Sequence, residues 1–268
     1  IALGIAQNLR RSSGQGSGRL HLSGMSYGVP FVYYLAEKET QLPYGLRKIK
    51  GLIPMDNLMK TDDEAYRQDR CAGVAIGQAN LDAGIYRNAS GVNLKLFADL
   101  AATAPDDPSP VVPSFTNRQF FLLALTTGEF WHFLGGDTED LLFTDPQVII
   151  DVARTTPPYT AVQTHFDLNS TICDEVDTPF DDYLGEITLP ILYVGAAGGF
   201  GEMGVYTTML TASEDITIHI VQLLEDDMRA MDFGHADLFL AEEADVLVWQ
   251  PILDWIVAHS QPGVNEMK

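Results

Sequence analysis

Residues 19 to 29 constrain the fold of this chain more than any other stretch. A short apolar run, Leu20-His21-Leu22, leads into Gly24-Met25-Ser26-Tyr27-Gly28, and an apolar, helix-compatible run follows to about Ala36. That order predicts a strand, a sharp turn and a helix, with a serine at the apex of the turn. Glycines flank the serine because side chains at those positions would strike the strand and the helix.

The pattern Gly-x-Ser-x-Gly between a strand and a helix is the nucleophile elbow. Its geometry lifts the Ser26 hydroxyl out of the sheet edge and aims the N–H groups of the following helix start at a reacting oxygen. The pentapeptide pattern also arises by chance in many chains. A catalytic interpretation therefore depends on a base and an acid elsewhere in the sequence.

A serine hydroxyl needs a histidine base within hydrogen-bond reach and a carboxylate that orients the base. His235 lies in a polar loop between a predicted core strand and a terminal helix, and it follows the serine in chain order. The other five histidines fall in predicted strands, in the middle segment or at the end of the last helix: His21, His219, His132, His165 and His259. The sequence therefore predicts His235 as the base.

Strands and helices alternate at both ends of the chain, which predicts a parallel sheet with crossover helices. Predicted strands cover 48–57, 189–195 and 215–224, and predicted helices cover 205–213 and 245–259. The segment 58–186 lacks this alternation and contains proline-rich breaks, so we interpret it as a helical cap inserted into a core of 1–57 and 187–268. Phe130 and Trp131 of the cap, with Met25, are candidate substrate-pocket residues, although such aromatics also form the core of a cap.

The glycine-rich loop 195–204 follows a strand but lacks the spacing Gly-x-Gly-x-x-Gly, so the sequence predicts no bound nucleotide and no cofactor. The two cysteines, Cys71 and Cys173, have no histidine at ligand spacing, so no metal site is predicted. Two interpretations of the pair stay open, one disulfide within the middle segment or two buried thiols.

The chain has 268 residues, with 16 Lys plus Arg against 37 Asp plus Glu, for a net charge of −21. Such a surface repels nucleic acid and anionic membranes, so neither is an expected partner. An apolar run of about 18 residues, the length that spans a bilayer, is missing. The sequence lacks a signal-peptide pattern and begins at Ile1, so we expect a soluble and processed chain, with its compartment, secretion included, left open.

Three stretches resemble the α/β-hydrolase superfamily: GMSYG at 24–28, LPILYVG at 189–195 and DFGHADLFLAEEADVLVWQPILDWI at 232–256. The resemblance covers both ends of the chain but not the cap, and it implies a mostly parallel sheet with flanking helices and an inserted cap. It further implies acyl transfer to water, in which Ser26 attacks a carbonyl, His235 moves the proton and the Tyr27 N–H binds the oxyanion. Dehalogenases and epoxide hydrolases of the superfamily carry Asp at the elbow, which this chain lacks.

The carboxylate that would orient His235 is not at the position that is common in that superfamily. Its members often place Asp after the strand that corresponds to 189–195, where this chain offers only Glu202. Other members use the end of the strand after the nucleophile helix, and here that position is Asp56. We favour Asp56 because it closes an apolar strand, with Glu202 as the alternative and Asp232 as a third candidate.

Members of the superfamily have several strands and a loop with the second oxyanion donor before the elbow. This chain has no counterpart of these elements before Ser26. We therefore expect a companion segment of roughly 100 residues, a half-domain in size, that is separate or has been cut away. It would pair along the edge of the Ser26 strand and complete the oxyanion hole.

The expected function is hydrolysis of a carboxylic ester of a fairly hydrophobic small molecule through an acyl-enzyme. Amide or peptide hydrolysis and acyl transfer use the same three side chains, so they stay as alternatives. A protein of this fold that binds without catalysis is the alternative from another class.

Overall fold

A computed structural model describes residues 2–13 and 18–260 of the chain. The helices are α1 (Ala2–Ser12), α2 (Gly28–Thr40), α3 (Glu64–Asp82), α4 (Ser90–Thr103), α5 (Asn117–Thr126), α6 (Pro146–Arg154), α7 (Val162–Cys173), α8 (Gly201–Met209), α9 (Asp237–Leu240) and α10 (Gln250–Ala258), the last preceded by a π-helical turn, Asp245–Trp249. The strands are β1 (Leu20–Met25), β2 (Ile49–Met55), β3 (Arg87–Asn88), β4 (Thr160–Ala161), β5 (Ile191–Ala196) and β6 (Ile216–Val221). Three 3₁₀ turns connect them, Tyr44–Leu46, Leu184–Glu186 and Asp226–Met231.

The described residues form a parallel sheet in the order β1-β2-β5-β6. Met25 pairs with Met55, Met55 with Val194, and Val194 with His219. Because all four strands run the same way, their carboxyl ends meet at one edge of the sheet, where α/β proteins place their functional groups. The predicted α/β class with a parallel sheet and flanking helices is confirmed.

Strand β5 is buried along its whole length, which explains its continuous apolar sequence. The face of the sheet toward α10 packs a cluster that includes Ile53, Met55, Leu192, Val194, Val248, Ile252 and Trp255. The opposite face packs against α2 through Val29, Val32, Tyr33, Ala36, Leu52 and Ile191. The sheet is thus the middle of three layers.

The chain between β2 and β5 holds α3 to α7 and an antiparallel pair, β3 with β4. Helices α3 and α7 pack against each other, and a disulfide joins Cys71 of α3 to Cys173 of α7, with a Cα–Cα distance of 4.8 Å. Of the two interpretations that the sequence left open for these cysteines, the disulfide is confirmed. The division into a core of 1–57 and 187–268 and a cap of 58–186 stays a prediction.

Several element boundaries differ from the sequence predictions. The strands expected at 48–57 and 189–195 are Ile49–Met55 and Ile191–Ala196, and the helix expected at 245–259 begins as the π-helical turn. The helix expected at 205–213 is Gly201–Met209, so the glycine-rich loop is shorter than predicted. The strand expected at 215–224 ends at Val221, because the N–H groups of Leu223 and Leu224 donate to the Asp232 carboxylate instead of to a strand. In the described ranges, no helix is long and apolar enough to cross a bilayer.

Candidate active site

Ser26 follows the last residue of β1 and has a φ of 54°, in the left-handed region that L-residues seldom adopt. The chain turns so sharply here that a Cβ on Gly24 would lie 2.4 Å from the carbonyl oxygen of Gly28. That contact explains the first glycine of the motif. The clash expected at the second glycine is wrong, because a Cβ on Gly28 would meet no atom within 4 Å. Helix α2 starts at Gly28, and the half-buried Ser26 side chain lies at the carboxyl edge of the sheet.

Asp56 repeats this geometry on the next strand. It follows the last residue of β2, with a φ of 47°. Because Met25 and Met55 are register partners, Ser26 and Asp56 leave neighbouring parallel strands at the same level. Adjacent strands lie about 4.8 Å apart, so the two side chains share one corner of the sheet edge.

His235 bonds to Asp56 through its ring, with 2.7 Å between Nδ1 and Oδ2. Both side chains are buried, His235 at 3% exposed and Asp56 at 0%. A carboxylate on Nδ1 makes that nitrogen the donor, so the neutral ring presents Nε2 as its acceptor. Among the described residues, neither Ser26 Oγ nor His235 Nε2 makes a hydrogen bond.

The glycine-rich loop wraps around the Asp56 carboxylate. Oδ1 accepts from the N–H groups of Ala196 at 2.8 Å and Gly201 at 3.0 Å, and Oδ2 accepts from Phe200 at 3.2 Å. A Cβ on Gly199 would lie 2.2 Å from Oδ2, so glycine is required at that contact. Two of these donors begin α8, whose positive end also favours a negative charge here. The loop thus binds the Asp56 carboxylate through its backbone N–H groups, a role that the sequence did not predict.

Aromatic side chains surround the His235 ring. Ring-centre distances are 5.3 Å to Trp131, 5.4 Å to Phe200 and 6.0 Å to Phe133. The predicted pocket residue Trp131 thus contacts the histidine, and Phe130 packs against Tyr66 in the same cluster. Met25 packs instead against the core cluster under α10. The rings exclude water from the Asp56–His235 pair, which strengthens the electrostatic interaction between them.

The other two candidate acids have different partners. Glu202 is exposed and pairs with Arg229, with Nη1 and Oε2 3.3 Å apart. Asp232 is buried and accepts from the N–H groups of Leu223, Leu224 and Phe233. Asp56 is the carboxylate that the structure brings to His235.

Sequence reasoning missed Asp237, a buried carboxylate two residues after His235. Its Oδ2 accepts from the N–H groups of Gly135 and Gly234, each at 2.7 Å, and its Oδ1 accepts from Thr144 Oγ1 at 2.6 Å. Burial raises the pKa of Asp237 to about 6. An acidic residue inside the apolar run 236–241 was the available signal. Asp237 ties the histidine loop to the segment that carries Trp131.

Tyr27 contributes two groups beside Ser26. Its N–H, at the start of α2, donates no backbone hydrogen bond among the residues that the structure describes. Its hydroxyl lies 2.7 Å from Nδ1 of His165 on α7. This N–H is a donor next to Ser26 that the described residues leave unused, and the side chain connects the turn at Ser26 to α7.

No protein-family model and no curated protein matches the sequence. Among solved structures, a soluble variant of monoglyceride lipase from Saccharomyces cerevisiae superposes with a TM-score of 0.54 at 11% identity, over 96% of this chain and 67% of the lipase. A carboxylesterase structure from Nitrososphaera gargenis gives a TM-score of 0.47 at 10% identity, over 97% of this chain and 72% of that one.

Proposed function

Because this chain has the α/β-hydrolase fold, we propose that it is a serine hydrolase. It would cleave carboxylic esters through an acyl-enzyme. The observation that carries the proposal is the buried Asp56–His235 pair, 2.7 Å apart, beside the strained Ser26. A buried imidazole bonded to a carboxylate next to a left-handed serine is the arrangement that activates a hydroxyl.

In the first half-reaction, Ser26 Oγ attacks the ester carbonyl carbon while His235 Nε2 takes the hydroxyl proton. Asp56 holds the ring in the required tautomer and stabilises the imidazolium that forms. The Tyr27 N–H donates to the carbonyl oxygen as it becomes negative. His235 then gives the proton to the leaving alkoxide, and the acyl group remains on Ser26.

In the second half-reaction, His235 takes a proton from water, and the resulting hydroxide attacks the acyl carbon. The carboxylic acid leaves when the proton returns to Ser26 Oγ. Trp131 and Phe200 limit the access of bulk water to the ring and favour a fairly hydrophobic substrate. Amide hydrolysis and acyl transfer would use the same groups, and the ester is proposed as the least demanding of these substrates.

A companion segment along β1 is a further part of the proposal. Strand β1 is an outer strand of the described sheet, yet five of its six residues are half-buried. An added strand would pair along its outer edge and could bring the second oxyanion donor next to Tyr27. Native mass spectrometry of the purified chain tests this: a folded, active monomer of 29.4 kDa would overturn the companion.

The disulfide supports an oxidising compartment. Such bonds persist outside the reducing cytosol, and Cys71–Cys173 joins two helices that pack against each other. We therefore propose a secreted or otherwise oxidised location for the protein.

A fluorophosphonate probe tests the enzymatic proposal. It reacts with a serine only when a base activates the hydroxyl, so the wild type should be labelled at Ser26, and Ser26→Ala should not be. The His235→Gln variant should lose labelling although Ser26 remains. A folded wild-type chain without label would indicate a binding protein of the same fold instead.

A further inference from the structure

A cavity of about 100 Å³ lies between α2 and α7, next to the turn that carries Ser26. Apolar side chains of α2, of α7 and of the segment before β5 form most of its lining: Tyr27, Pro30, Phe31, Tyr34, Leu168 and Phe180. Concave sites with a mainly apolar and aromatic lining bind apolar parts of small ligands. The proposed reaction does not yet assign a ligand group to this cavity.

Two of the lining residues also belong to the candidate active site. Tyr27 directly follows Ser26 in the chain. Leu168 packs against the cluster that contains Phe200, and the Phe200 ring lies 5.4 Å from the His235 ring. The cavity therefore lies between the neighbour of the nucleophile and the rings that surround the base.

The Tyr27 side chain is fixed at the end of the cavity that is next to Ser26. Its hydroxyl lies 2.7 Å from His165 Nδ1, and the two rings meet edge-on with centres 4.9 Å apart. Burial raises the pKa of Tyr27 and lowers the pKa of His165. Both groups are therefore neutral at pH 7, so the hydroxyl donates to Nδ1, while Nε2 lies 3.0 Å from Thr160 Oγ1. This end of the cavity is an uncharged ring in a defined position.

Tyr34 and Phe180 form the opposite end. Tyr34 is the lining residue of α2 that is farthest from Ser26 in the chain, and its ring packs edge-on against Phe180, with centres 5.3 Å apart. One turn further along α2, Lys38 Nζ donates to the Pro179 carbonyl oxygen at 3.0 Å, which holds the Phe180 segment against the helix. A chain that enters from the Ser26 end meets these rings, so the cavity limits the length of its ligand.

The cavity suits a neutral aliphatic group. The described residues that line it include no Lys or Arg, and the carboxylate among them, Asp167, already accepts from Gln163 Nε2 at 2.7 Å. A charged ligand group would lose its hydration here without gaining an opposite charge. A cavity of about 150 Å³ holds the six carbons of benzene, so about 100 Å³ accommodates roughly four carbons.

We propose that this cavity binds the aliphatic chain of the acyl group, so that the enzyme prefers esters of butanoic and pentanoic acid. The inference rests on the proposed ester hydrolysis and narrows its substrate class to short-chain acyl esters. The acyl group is assigned because it stays on Ser26 in the acyl-enzyme, next to Tyr27. Pro30 lies about 4.5 Å along the helix axis from Tyr27, within the reach of a chain of this length.

Kinetics with a series of acyl lengths test the assignment. The para-nitrophenyl esters of unbranched acids from acetate to octanoate share one leaving group and differ only in the acyl chain. Each methylene that enters the cavity should raise kcat/KM about fourfold, so butanoate should exceed acetate by about 16-fold. The value should peak at butanoate or pentanoate and fall by octanoate. A value that is flat, or that rises through octanoate, would overturn the proposal, as would an optimum found only when the alcohol of alkyl acetates is varied.

Two variants change the size of the cavity in opposite directions. Thr164→Phe places a ring in the cavity from its α7 side and should reduce the butanoate-to-acetate ratio of kcat/KM to near one. Phe31→Ala removes a ring from its α2 side and should move the optimum to hexanoate or longer. Gln163→Phe and Leu35→Ala are the matched controls, because both positions are exposed, lie on the same two helices and do not line the cavity. If the controls shift the optimum as much as the lining variants do, the cavity does not select the acyl chain and the proposal is wrong.

A binding measurement makes the outcome independent of turnover. Calorimetry with Ser26→Ala should show para-nitrophenyl butanoate binding more tightly than the acetate ester, and the added Thr164→Phe change should remove the difference. Hydrolysis of the esters without a chain-length optimum refutes the acyl cavity and leaves the hydrolase intact. Tighter binding of the butanoate ester that depends on Thr164, without hydrolysis by the wild type, does the reverse.

Discussion

Ser26 and Asp56 leave their strands in the same left-handed conformation. A non-glycine residue in that region costs roughly 1–2 kcal/mol, and two such residues on paired strands place both strained positions at one corner. The conformation turns each side chain out of the strand direction and toward the sheet edge. Strain of this kind concentrates at functional sites because the surrounding packing holds it there.

The first prediction concerns Asp56. Replacing it by Asn should lower kcat roughly 10³- to 10⁴-fold, because the amide would no longer hold the His235 tautomer that accepts the serine proton. Ester hydrolysis by purified variants measures the effect. Glu202→Gln is the matched control and should keep near-wild-type kcat, since Glu202 pairs with Arg229 at the surface. The opposite order of losses would move the acid to Glu202.

The second prediction concerns Asp237, whose pKa burial raises to about 6 from an ordinary 3.8. Because the folded state binds this proton more tightly, the contribution of Asp237 to stability is greatest below pH 4. That contribution falls as the pH rises through 6. The full loss is about 3 kcal/mol.

Asp237→Asn does not titrate, so urea unfolding of wild type and variant at several pH values isolates this contribution. As the pH rises from 4 to 6, the free energy of unfolding of the wild type should fall relative to that of the variant. Parallel curves for the two proteins would show that the carboxyl titrates normally in the folded state.

Sequence reasoning reached Ser26 and His235 because local patterns mark them, a glycine-flanked serine and a histidine between a core strand and a helix. It favoured Asp56 over Glu202 only from the position of Asp56 at the end of an apolar strand, since the contact itself depends on how a distant loop folds. Only the folded chain brings Ala196, Phe200 and Gly201 around the Asp56 carboxylate. Asp237 escaped notice because its three donors come from Gly135, Thr144 and Gly234, the first two far away in the sequence.

At the level of elements, the third prediction is that the loop before α8 tolerates no side chain at Gly199. A Cβ there would lie 2.2 Å from Asp56 Oδ2, so Gly199→Ala must displace the carboxylate or the loop. We expect a loss of about 1–3 kcal/mol in stability and a fall in kcat. Thermal unfolding and ester hydrolysis measure both effects.

Gly185→Ala is the control for that experiment. Gly185 lies in a 3₁₀ turn, and the nearest atom to its added Cβ would be the Leu210 carbonyl oxygen at 3.8 Å. This variant should retain wild-type kcat. Equal behaviour of the two alanine variants would show that the loop is free to rearrange without disturbing Asp56.

Elements were predictable where one local pattern governs them, as in β5, whose apolar run predicts a buried strand. The start of α8 was missed by four residues because glycine has low intrinsic helix propensity. Here the Asp56 carboxylate accepts the first free N–H groups of that helix, and this tertiary contact outweighs the propensity. The early end of β6 has the same origin, because Asp232 takes the next donors.

For the whole molecule, alternation at the two ends of the chain was enough to predict a parallel sheet. The strand order β1-β2-β5-β6 brings those ends together. Asp56 and His235 lie 179 positions apart in the sequence, and this order lets them form a hydrogen bond. No local pattern contains that information.

The fourth prediction is that the disulfide stabilises the fold substantially. It joins residues separated by 102 positions, and closure of a loop of that size typically contributes about 2–5 kcal/mol. A Cys71→Ser, Cys173→Ser double variant should unfold at a correspondingly lower denaturant concentration. A reductant should shift the wild type to the same midpoint and leave the double variant unchanged. A coincident midpoint for oxidised wild type and double variant would contradict the prediction.

The Cys71–Cys173 bond also makes a covalent ring of the chain between α3 and the end of α7. A protease that nicks the exposed parts of the loop 104–113 would open the ring without dividing the molecule, because both fragments would remain linked through the two sulfur atoms. The nicked protein would run as one band on a gel until it is reduced, and then as two. Ser26, Asp56 and His235 lie outside the ring. Cleavage within the ring would leave Ser26 and Asp56 on one fragment and His235 on the other, with the disulfide holding the two fragments together.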